Sequence, residues 1–314
     1  MHPGHEDKET GSITNRHNDG DNEIDNELKS NPKIAKLKPA IDAIRKHHDP
    51  IKKQHEAFAH RLVNDHDLTK DEIDTAMSSS KYQKHLLQNQ HSHVALAALN
   101  HPKADYETTW HAAQHHDPKV ALAALNHPKA NYGTTWKGAQ HHDPHVAMAA
   151  LNHPEADYGT TWYAAGNKDP QVALAALNHP KADYETTWHA AQHQDPQVAL
   201  AALNHPEADS GTNRNASKHH DPKVAMAALN HPEADYGTTW HAAQHHDPKV
   251  AMAALNHPKA DYETTQFAAQ HHDPKVAMAA LNHPKADYET TQYAAQHADP
   301  QVRTKDQELL DKFK

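Results

Sequence analysis

The sequence predicts an all-α protein, and within that class an α-solenoid built from 26-residue units of two short helices each. One observation is an Asp-Pro pair that recurs every 26 residues, at Asp117, Asp143, Asp169, Asp195, Asp221, Asp247, Asp273 and Asp299. Another is the segment V-A-[LM]-A-A-L-N-H-P, which begins at Val94, Val120, Val146, Val172, Val198, Val224, Val250 and Val276. A period of this length indicates a repeat array, in which each unit buries its apolar face against its neighbours.

Residues 1–30 are polar and carry few large apolar side chains, so we expect a disordered acidic tail. Residues 31–90 show helical patterns and are interpreted as diverged units that cap the array. We expect Pro39 to kink or split the first of these helices, and Asp49-Pro50 to open another. The segment 82–89 (YQKHLLQN) is interpreted as standing in the place of VALAALN.

Each unit has the start and stop signals of two helices. Asp117 is a strong N-cap residue, and Pro118 suits the first helical position, which needs no N–H. The following segment, 120–125, is apolar on every side and should be buried between neighbouring units. Asn126 is interpreted as a left-handed C-cap. In a later copy, Asp183 is expected to cap the second helix, which should end before the next Asp-Pro.

The array is assigned to residues 91–303, with eight copies, and a charged C-terminal capping helix is assigned to residues 304–314. The copy at 208–220 has Ser210 and Arg214 where other copies have Tyr and Trp, and we expect its second helix to be weaker. Helices this short would be marginal in isolation, so every unit should depend on its neighbours.

Composition excludes several classes of function. The chain has no cysteine, which removes disulfides, thiolate metal sites and cysteine nucleophiles. A formal charge of −10 argues against a general nucleic-acid footprint. No apolar run is long enough to span a bilayer, and no signal-peptide core follows Met1, so we expect a cytoplasmic protein without membrane contact. The 35 histidines could reverse the sign of the net charge on mild acidification.

The pattern D-P-x-V-x-x-A-A-L-x-H-P, followed by A-[DN]-x-x-T-x-x-x-A, resembles the leucine-rich-repeat variant and short HEAT-like repeats of some bacterial and tailed-phage proteins. The matching residues run from His91 to Val302. The Val-Arg pair typical of such repeats survives only at Val302-Arg303, and Ala121 shows the usual replacement. The resemblance implies a right-handed superhelix with a binding or scaffolding role and no enzymatic activity. It also implies a phage origin, with the protein in the host cytoplasm or the virion.

All five tryptophans occupy one slot of the repeat, and other copies hold Arg214, Gln266 or Gln292 there. Arg and Gln would be costly in a fully buried slot, so we expect this position to be partly exposed. A row of exposed Trp would form a partner-binding ladder, since Trp is enriched in interface hot spots. The alternative is that Trp only covers the seam between units. The candidate residues are Trp110, Trp136, Trp162, Trp188 and Trp240.

Histidines recur in Asn-His-Pro and as a His-His pair before Asp-Pro. The pairs are weak candidates for zinc or nickel ligands, because rows one helix apart are too wide for a ready-made tetrahedral site. The alternative is that they cap or stack in turns. The candidate residues are His115, His116, His141, His142, His219, His220, His245, His246, His271 and His272.

No motif in the chain converges on a reaction, so we expect a non-enzymatic scaffold with no required cofactor. It would bind a protein partner, or assemble with itself, through a repeated surface. The alternative function is a histidine-rich metal-binding or pH-responsive element.

Overall fold

The structure is a computed structural model that describes the backbone of residues 38–313 and the side chains of residues 51–310. This part of the chain is all-α, with twenty helices and no strand. The predicted acidic tail, residues 1–30, lies outside the described residues. The chain divides into two units, residues 1–65 and residues 66–314.

The described part of the first unit is one helix, α1 (Lys38–Asn64). The expected break is wrong, because α1 continues through Asp49-Pro50 as a single helix of 27 residues. Pro39 occupies the second helical position, where the absent N–H breaks no hydrogen bond. The helix ends where Asn64 Nδ2 donates to the His60 carbonyl at 2.8 Å.

The second unit holds the other nineteen described helices. They are α2 (Lys70–Ala76), α3 (Ser80–Leu87), α4 (Ser92–Leu99), α5 (Tyr106–Ala112), α6 (Pro118–Leu125), α7 (Tyr132–Ala139), α8 (Pro144–Leu151), α9 (Tyr158–Ala165), α10 (Pro170–Leu177), α11 (Tyr184–Ala190), α12 (Pro196–Leu203), α13 (Ser210–Ser217), α14 (Pro222–Leu229), α15 (Tyr236–Ala243), α16 (Pro248–Leu255), α17 (Tyr262–Ala269), α18 (Pro274–Leu281), α19 (Tyr288–Ala294) and α20 (Pro300–Phe313).

These helices alternate between two rows, as an α-solenoid requires. The even-numbered helices from α4 to α20 each contact the next even-numbered helix, and we call them the first row. The odd-numbered helices from α3 to α19 likewise form the second row. Helix α3 packs against α5 and precedes it by 26 residues, so segment 82–89 belongs to the second row. Its interpretation as a VALAALN equivalent is therefore wrong. The handedness of the superhelix stays a prediction.

First-row helices are capped as predicted. In α6 the Asp117 carboxylate accepts from the Lys119 N–H at 2.9 Å, and Pro118 is the first helical residue. At the other end Asn126 is not left-handed, since its φ is −82°. Its side-chain Nδ2 instead donates to the Leu122 carbonyl at 2.9 Å, which also accepts from the Asn126 backbone N–H at 3.0 Å.

Second-row helices other than α3 and α13 begin with a reciprocal capping box. Asp183 Oδ1 accepts from the Thr186 N–H at 3.0 Å, while Thr186 Oγ1 accepts from the Asp183 N–H at 3.3 Å. The following threonine, Thr187, donates to the Tyr184 carbonyl at 2.9 Å. The Thr-Thr pair therefore fixes the first turn of the helix.

The same threonines tie each second-row helix to the next. The second Thr of one copy and the first Thr of the following copy are fully buried, and their hydroxyl oxygens lie 2.8–3.1 Å apart. The linked pairs are Thr109–Thr134, Thr135–Thr160, Thr161–Thr186, Thr187–Thr212, Thr239–Thr264 and Thr265–Thr290. The core beside this ladder is formed by Val, Ala and Leu of the first row and Ala of the second.

The last helix, α20, begins at the ninth Asp-Pro and continues into the charged C-terminal segment. Arg303 lies in its first turns and donates from Nη1 to the His297 carbonyl at 2.6 Å and to the Ala298 carbonyl at 2.7 Å. Val302 remains fully buried against the last repeat. The terminal helix thus completes the array while ending its apolar pattern.

Candidate interaction surface of the second row

The tryptophan slot is the fifth residue of each second-row helix, and its side chains lie at the boundary between core and solvent. Trp110, Trp136, Trp162 and Trp240 are half-buried, and Trp188 is 42% exposed. Gln266 in the same slot is only 6% exposed, so a polar residue in this slot does not by itself indicate that the slot is exposed to solvent.

A hydrogen bond to the next N-cap is made by Arg214, by Gln266 and by one of the five tryptophans in this slot. Trp136 Nε1 donates to Asp157 Oδ1 at 2.6 Å, and Asp157 is the N-cap of the next second-row helix. Gln266 Nε2 donates to Asp287 in the same way, at 3.0 Å. Trp240 Nε1, by contrast, is buried without a hydrogen-bond partner, so a bond to the next N-cap is compatible with the slot and is not required by it.

Arg214 makes the same contact as an ion pair. Its Nε donates to Asp235 Oδ2 at 2.9 Å, its Nη2 also contacts that carboxylate, and its guanidinium lies 5.5 Å from the Tyr236 ring. The pair holds the pKa of Asp235 below its usual value against the opposing effect of burial. Helix α13 is not shortened by its substitutions, because it keeps eight residues and its Asp209 cap. It lacks the reciprocal capping box of the equivalent helices, such as α11, and the expected weakening of this copy stays a prediction.

Glycine at the second helical position leaves space for the preceding tryptophan. A Cβ built on Gly159 would lie 2.4 Å from Trp136 Nε1, which is too close for any real contact. Where the following copy has Glu185 instead, Trp162 packs on His189 with ring centroids 4.7 Å apart. The Gly or Glu at this position therefore sets how the indole lies across the seam.

A second row of aromatic residues, not singled out from the sequence, is more exposed than the tryptophans. Seven tyrosines at the first position of the second-row helices are 54–63% exposed. They are Tyr106, Tyr132, Tyr158, Tyr184, Tyr236, Tyr262 and Tyr288. The signal was present in the sequence, since Tyr and Trp are four residues apart and four residues bring side chains to one helix face.

Tyrosine and tryptophan rings join into a continuous stripe in the central copies. Tyr132 lies 5.2 Å from Trp136, and Trp136 lies 6.2 Å from Tyr163 of the next copy. Tyr163 in turn lies 4.7 Å from Trp162, which packs on His189. We call this set, together with the equivalent positions of the other copies, the aromatic stripe. Contiguous aromatic surface of this kind is typical of interaction sites.

The first histidine of each His-His pair forms a hydrogen bond to the preceding copy, which differs from the metal-binding role considered in the sequence analysis. His115 Nε2 donates to the Asn89 carbonyl at 2.9 Å, and His141 Nε2 donates to the His115 carbonyl at 2.9 Å. The series, which we call the histidine ladder, continues through His193, His219, His245, His271 and His297. It links each copy to the one before it by a hydrogen bond near the surface of the core.

The other ring nitrogen is also occupied. Nδ1 of His245 accepts from the Asp247 N–H at 2.9 Å, and the same bond recurs in every ladder histidine. Because Nδ1 faces a donor and Nε2 faces a carbonyl, each ring must be the neutral Nε2–H tautomer. Burial correspondingly lowers the pKa of His115, His219, His245 and His271.

One copy replaces the ladder histidine with asparagine and preserves both bonds. Asn167 Nδ2 donates to the His141 carbonyl at 3.2 Å, and its Oδ1 accepts from the Asp169 N–H at 3.0 Å. Asn89 starts the ladder with the same acceptor bond, from the His91 N–H at 2.7 Å. An amide can substitute because it offers one donor and one acceptor at the spacing of a neutral imidazole.

This geometry removes the first histidines of the pairs as metal ligands in the folded chain, since neither ring nitrogen has a free lone pair. These residues are His115, His141, His219, His245 and His271. The second histidines, His116, His142, His220, His246 and His272, are exposed and stack on the first with centroids 4.3–4.4 Å apart. Across the part of the chain that the structure describes, no group of three or more His, Cys, Asp or Glu is placed to hold a metal.

Each Asn-His-Pro histidine accepts a backbone N–H at Nδ1, and in His283 the other ring nitrogen is bonded as well. Nδ1 of His283 accepts from the Lys285 N–H at 3.2 Å, and its Nε2 donates to the Leu255 carbonyl at 3.0 Å. Burial lowers the pKa of the equivalent His127, His179 and His257. Both histidine families are therefore explained by structure.

Comparisons with protein-family models, curated proteins and solved structures returned no match. None of the described helices combines the length and apolar character needed to cross a bilayer. The fold and surface define the class: an α-solenoid of helical repeats with a stripe of exposed aromatic side chains along one row.

Proposed function

We propose that this chain is a non-enzymatic scaffold that binds a protein partner, or further copies of itself, along the aromatic stripe. We further propose that its units are leucine-rich-repeat variants of the short HEAT-like kind. The observation that supports the binding role is the recurrence of exposed Tyr beside half-buried Trp in successive copies. A surface repeated at fixed intervals suits a partner that is itself repetitive or extended, and solenoids bind such partners across many units.

Rigid aromatic side chains give large contact areas at low conformational cost, which is why Tyr and Trp dominate interface hot spots. The stripe is already supported from beneath by buried Thr–Thr bonds and by the bonds from the Trp slot to the next N-cap. Binding would therefore order few additional groups. This preorganisation favours affinity.

The test replaces three central tryptophans, Trp136, Trp162 and Trp188, by Gln in the full chain. Gln is the natural occupant at Gln266 and keeps the donor to the next N-cap, so the fold should survive. Immobilised wild-type and variant chains are incubated with extract of the source cells, and retained proteins are quantified. Proteins enriched on the wild type should be lost from this variant.

The matched control replaces exposed first-row lysines, Lys119, Lys223 and Lys249, by Gln. This control should retain the same proteins as the wild type. A partner set, or a self-association constant measured by light scattering, that is equal for all three chains would refute the role of the stripe.

A second candidate function is a pH-responsive element, and the histidine ladder favours it. Protonation of a ladder histidine would place a new N–H on Nδ1 against the backbone N–H that Nδ1 now accepts from, so the bond within the copy would be lost and the ring would be pushed from the position in which Nε2 bonds the preceding copy. Solution scattering between pH 7 and pH 5.5 tests this. A size or assembly change in that interval supports the candidate, provided that a variant with ladder histidines replaced by Asn loses the change. A profile independent of pH eliminates it.

A further inference from the structure

Slots between successive tyrosines are the most regular feature of the aromatic stripe. Tyr132 and Tyr158 occupy equivalent positions on α7 and α9 and are 54% and 58% exposed. The Trp136 ring lies 5.2 Å from Tyr132, and its Nε1 donates to Asp157, which directly precedes Tyr158. The indole therefore lies between the two tyrosines and forms the floor of a slot that they flank.

The spacing of the slots follows from direct packing of second-row helices. The Thr135–Thr160 hydrogen bond holds α7 and α9 in contact, and packed helices lie about 8–10 Å apart. A polyproline II helix has three residues per turn and a rise of about 3.1 Å, so it advances about 9 Å per turn. An α-helix advances about 5.4 Å per turn, and a strand repeats its facing side chain about every 6.6–6.8 Å. Only the polyproline II period matches the row.

The chemistry of the stripe agrees with this match. Gly133 and Gly159 stand where other copies have Glu, so the slot between Tyr132 and Tyr158 is walled by uncharged rings. The Tyr132 and Tyr158 hydroxyls can donate to the backbone carbonyls of a polyproline II segment, which has no internal hydrogen bonds, whereas the Tyr184 hydroxyl donates to Glu185 Oε1 at 3.1 Å. Proline rings pack on aromatic side chains in recognition of this kind. The formal charge of −10 disfavours a nucleic acid as the extended partner.

We propose that the slots flanked by Tyr132, Tyr158 and Tyr184 bind a proline-rich segment of the partner in the polyproline II conformation, with one proline in each slot. This inference rests on the proposed scaffold function and names the chemistry of its partner. The segment lies along the row, across the helices, and gains one contact set for each turn.

The experiment titrates the full chain with fluorescein-labelled oligoproline peptides of two, three and four turns and measures anisotropy. Each added turn should raise the affinity by about three- to tenfold, the value of one aromatic contact set. A mirror-image D-proline peptide has the opposite helical hand and should not bind. A Gly-Ser peptide of equal length should not bind either.

The matched variant is Tyr158→Ser, because Ser210 already occupies this position in a natural copy. It should lose the factor of one to two turns, because Tyr158 flanks two slots, and Lys119→Ser on the first row should lose nothing. Circular dichroism of each variant checks that the helices are retained.

Unchanged oligoproline affinity in a chain with Tyr132, Tyr158 and Tyr184 all replaced by Ser would overturn the proposal. Equal binding of the D-proline or Gly-Ser peptide would overturn it too. If oligoproline fails to bind while the Trp variants still lose their partners, this inference falls and the scaffold function stands. If the Trp variants lose no partner, the scaffold function itself falls.

Discussion

Replacing one ladder histidine by leucine should destabilise the array strongly, because two backbone groups lose their partners. In the folded chain His245 Nε2 donates to the His219 carbonyl at 3.1 Å, and Nδ1 accepts from the Asp247 N–H at 2.9 Å. Leucine fills a similar volume but makes neither bond. An unsatisfied buried polar group costs about 1–3 kcal/mol. The carbonyl is buried and the amide only partly so, and we therefore expect His245→Leu to cost about 2–4 kcal/mol in the free energy of unfolding.

The control variant is supplied by the chain. His245→Asn reproduces the arrangement at Asn167, where the amide makes both bonds at 3.0–3.2 Å. We expect it to cost less than about 1 kcal/mol, since the remaining loss is the stacking of the imidazole on His246.

Urea denaturation followed by far-UV circular dichroism at pH 8 is the appropriate assay. At that pH an ordinary histidine is neutral in both states, so protonation does not contribute. Midpoints and slopes are compared together, because coupled repeats need not unfold in one step. Equal losses for the Leu and Asn variants would refute the view that the paired hydrogen bonds hold neighbouring copies together.

Three further predictions follow from the same contacts. First, burial lowers the pKa of His111 and His241 to about 4, so between that value and about 6.5 the unfolded chain binds more protons. The contribution of these two histidines to the free energy of unfolding is complete above about pH 6.5. It falls with acidification, by about 1 kcal/mol for each of them after solvent screening. Urea midpoints that stay constant from pH 7 to pH 4 would contradict this. Second, Thr135→Val removes the hydroxyl that donates to the Tyr132 carbonyl at 2.8 Å. It should lower the free energy of unfolding, measured by heat or urea, by about 1–2 kcal/mol, whereas Thr135→Ser should lower it less. The opposite order would contradict a stabilising role for the buried threonine hydroxyls. Third, Arg303→Met removes the donor to the His297 carbonyl and should destabilise the last repeat by about 1 kcal/mol. Amide hydrogen exchange should rise first in that repeat. A uniform rise in exchange along the array would contradict a stabilising role of Arg303 at the end of the array.

The sequence predicted the repeat and its helix starts because those signals are local. Asp117 and Pro118 act within one turn, and so does the capping box that begins at Asp183. Local signals were less reliable where tertiary packing determines how a helix begins, continues or ends. The Asp49-Pro50 pair copies the repeat opening but lies inside one long helix, and Asn126 ends its helix with a side-chain bond in place of a left-handed turn.

The site was only partly foreseeable from the sequence. The Trp slot suggested an exposed ladder from its tolerance of Arg and Gln, yet Arg214 and Gln266 fit because each donates to the next N-cap, as Trp136 does. The histidine ladder joins residues that are 26 positions apart and depends on a particular histidine tautomer. Neither feature can be read directly from the amino-acid sequence. The replacement of histidine by Asn167 was the available clue, because the two side chains have little in common except one donor and one acceptor.

The histidine ladder gives the array a direction. In every rung the donor belongs to the later copy and the acceptor carbonyl to the earlier one, so each unit has one satisfied side and one side that needs a successor. At the last rung Arg303 takes the place of a ladder histidine, because its Nη1 donates to the His297 carbonyl. Whole copies can therefore be gained or lost upstream of this arginine without leaving an orphan carbonyl.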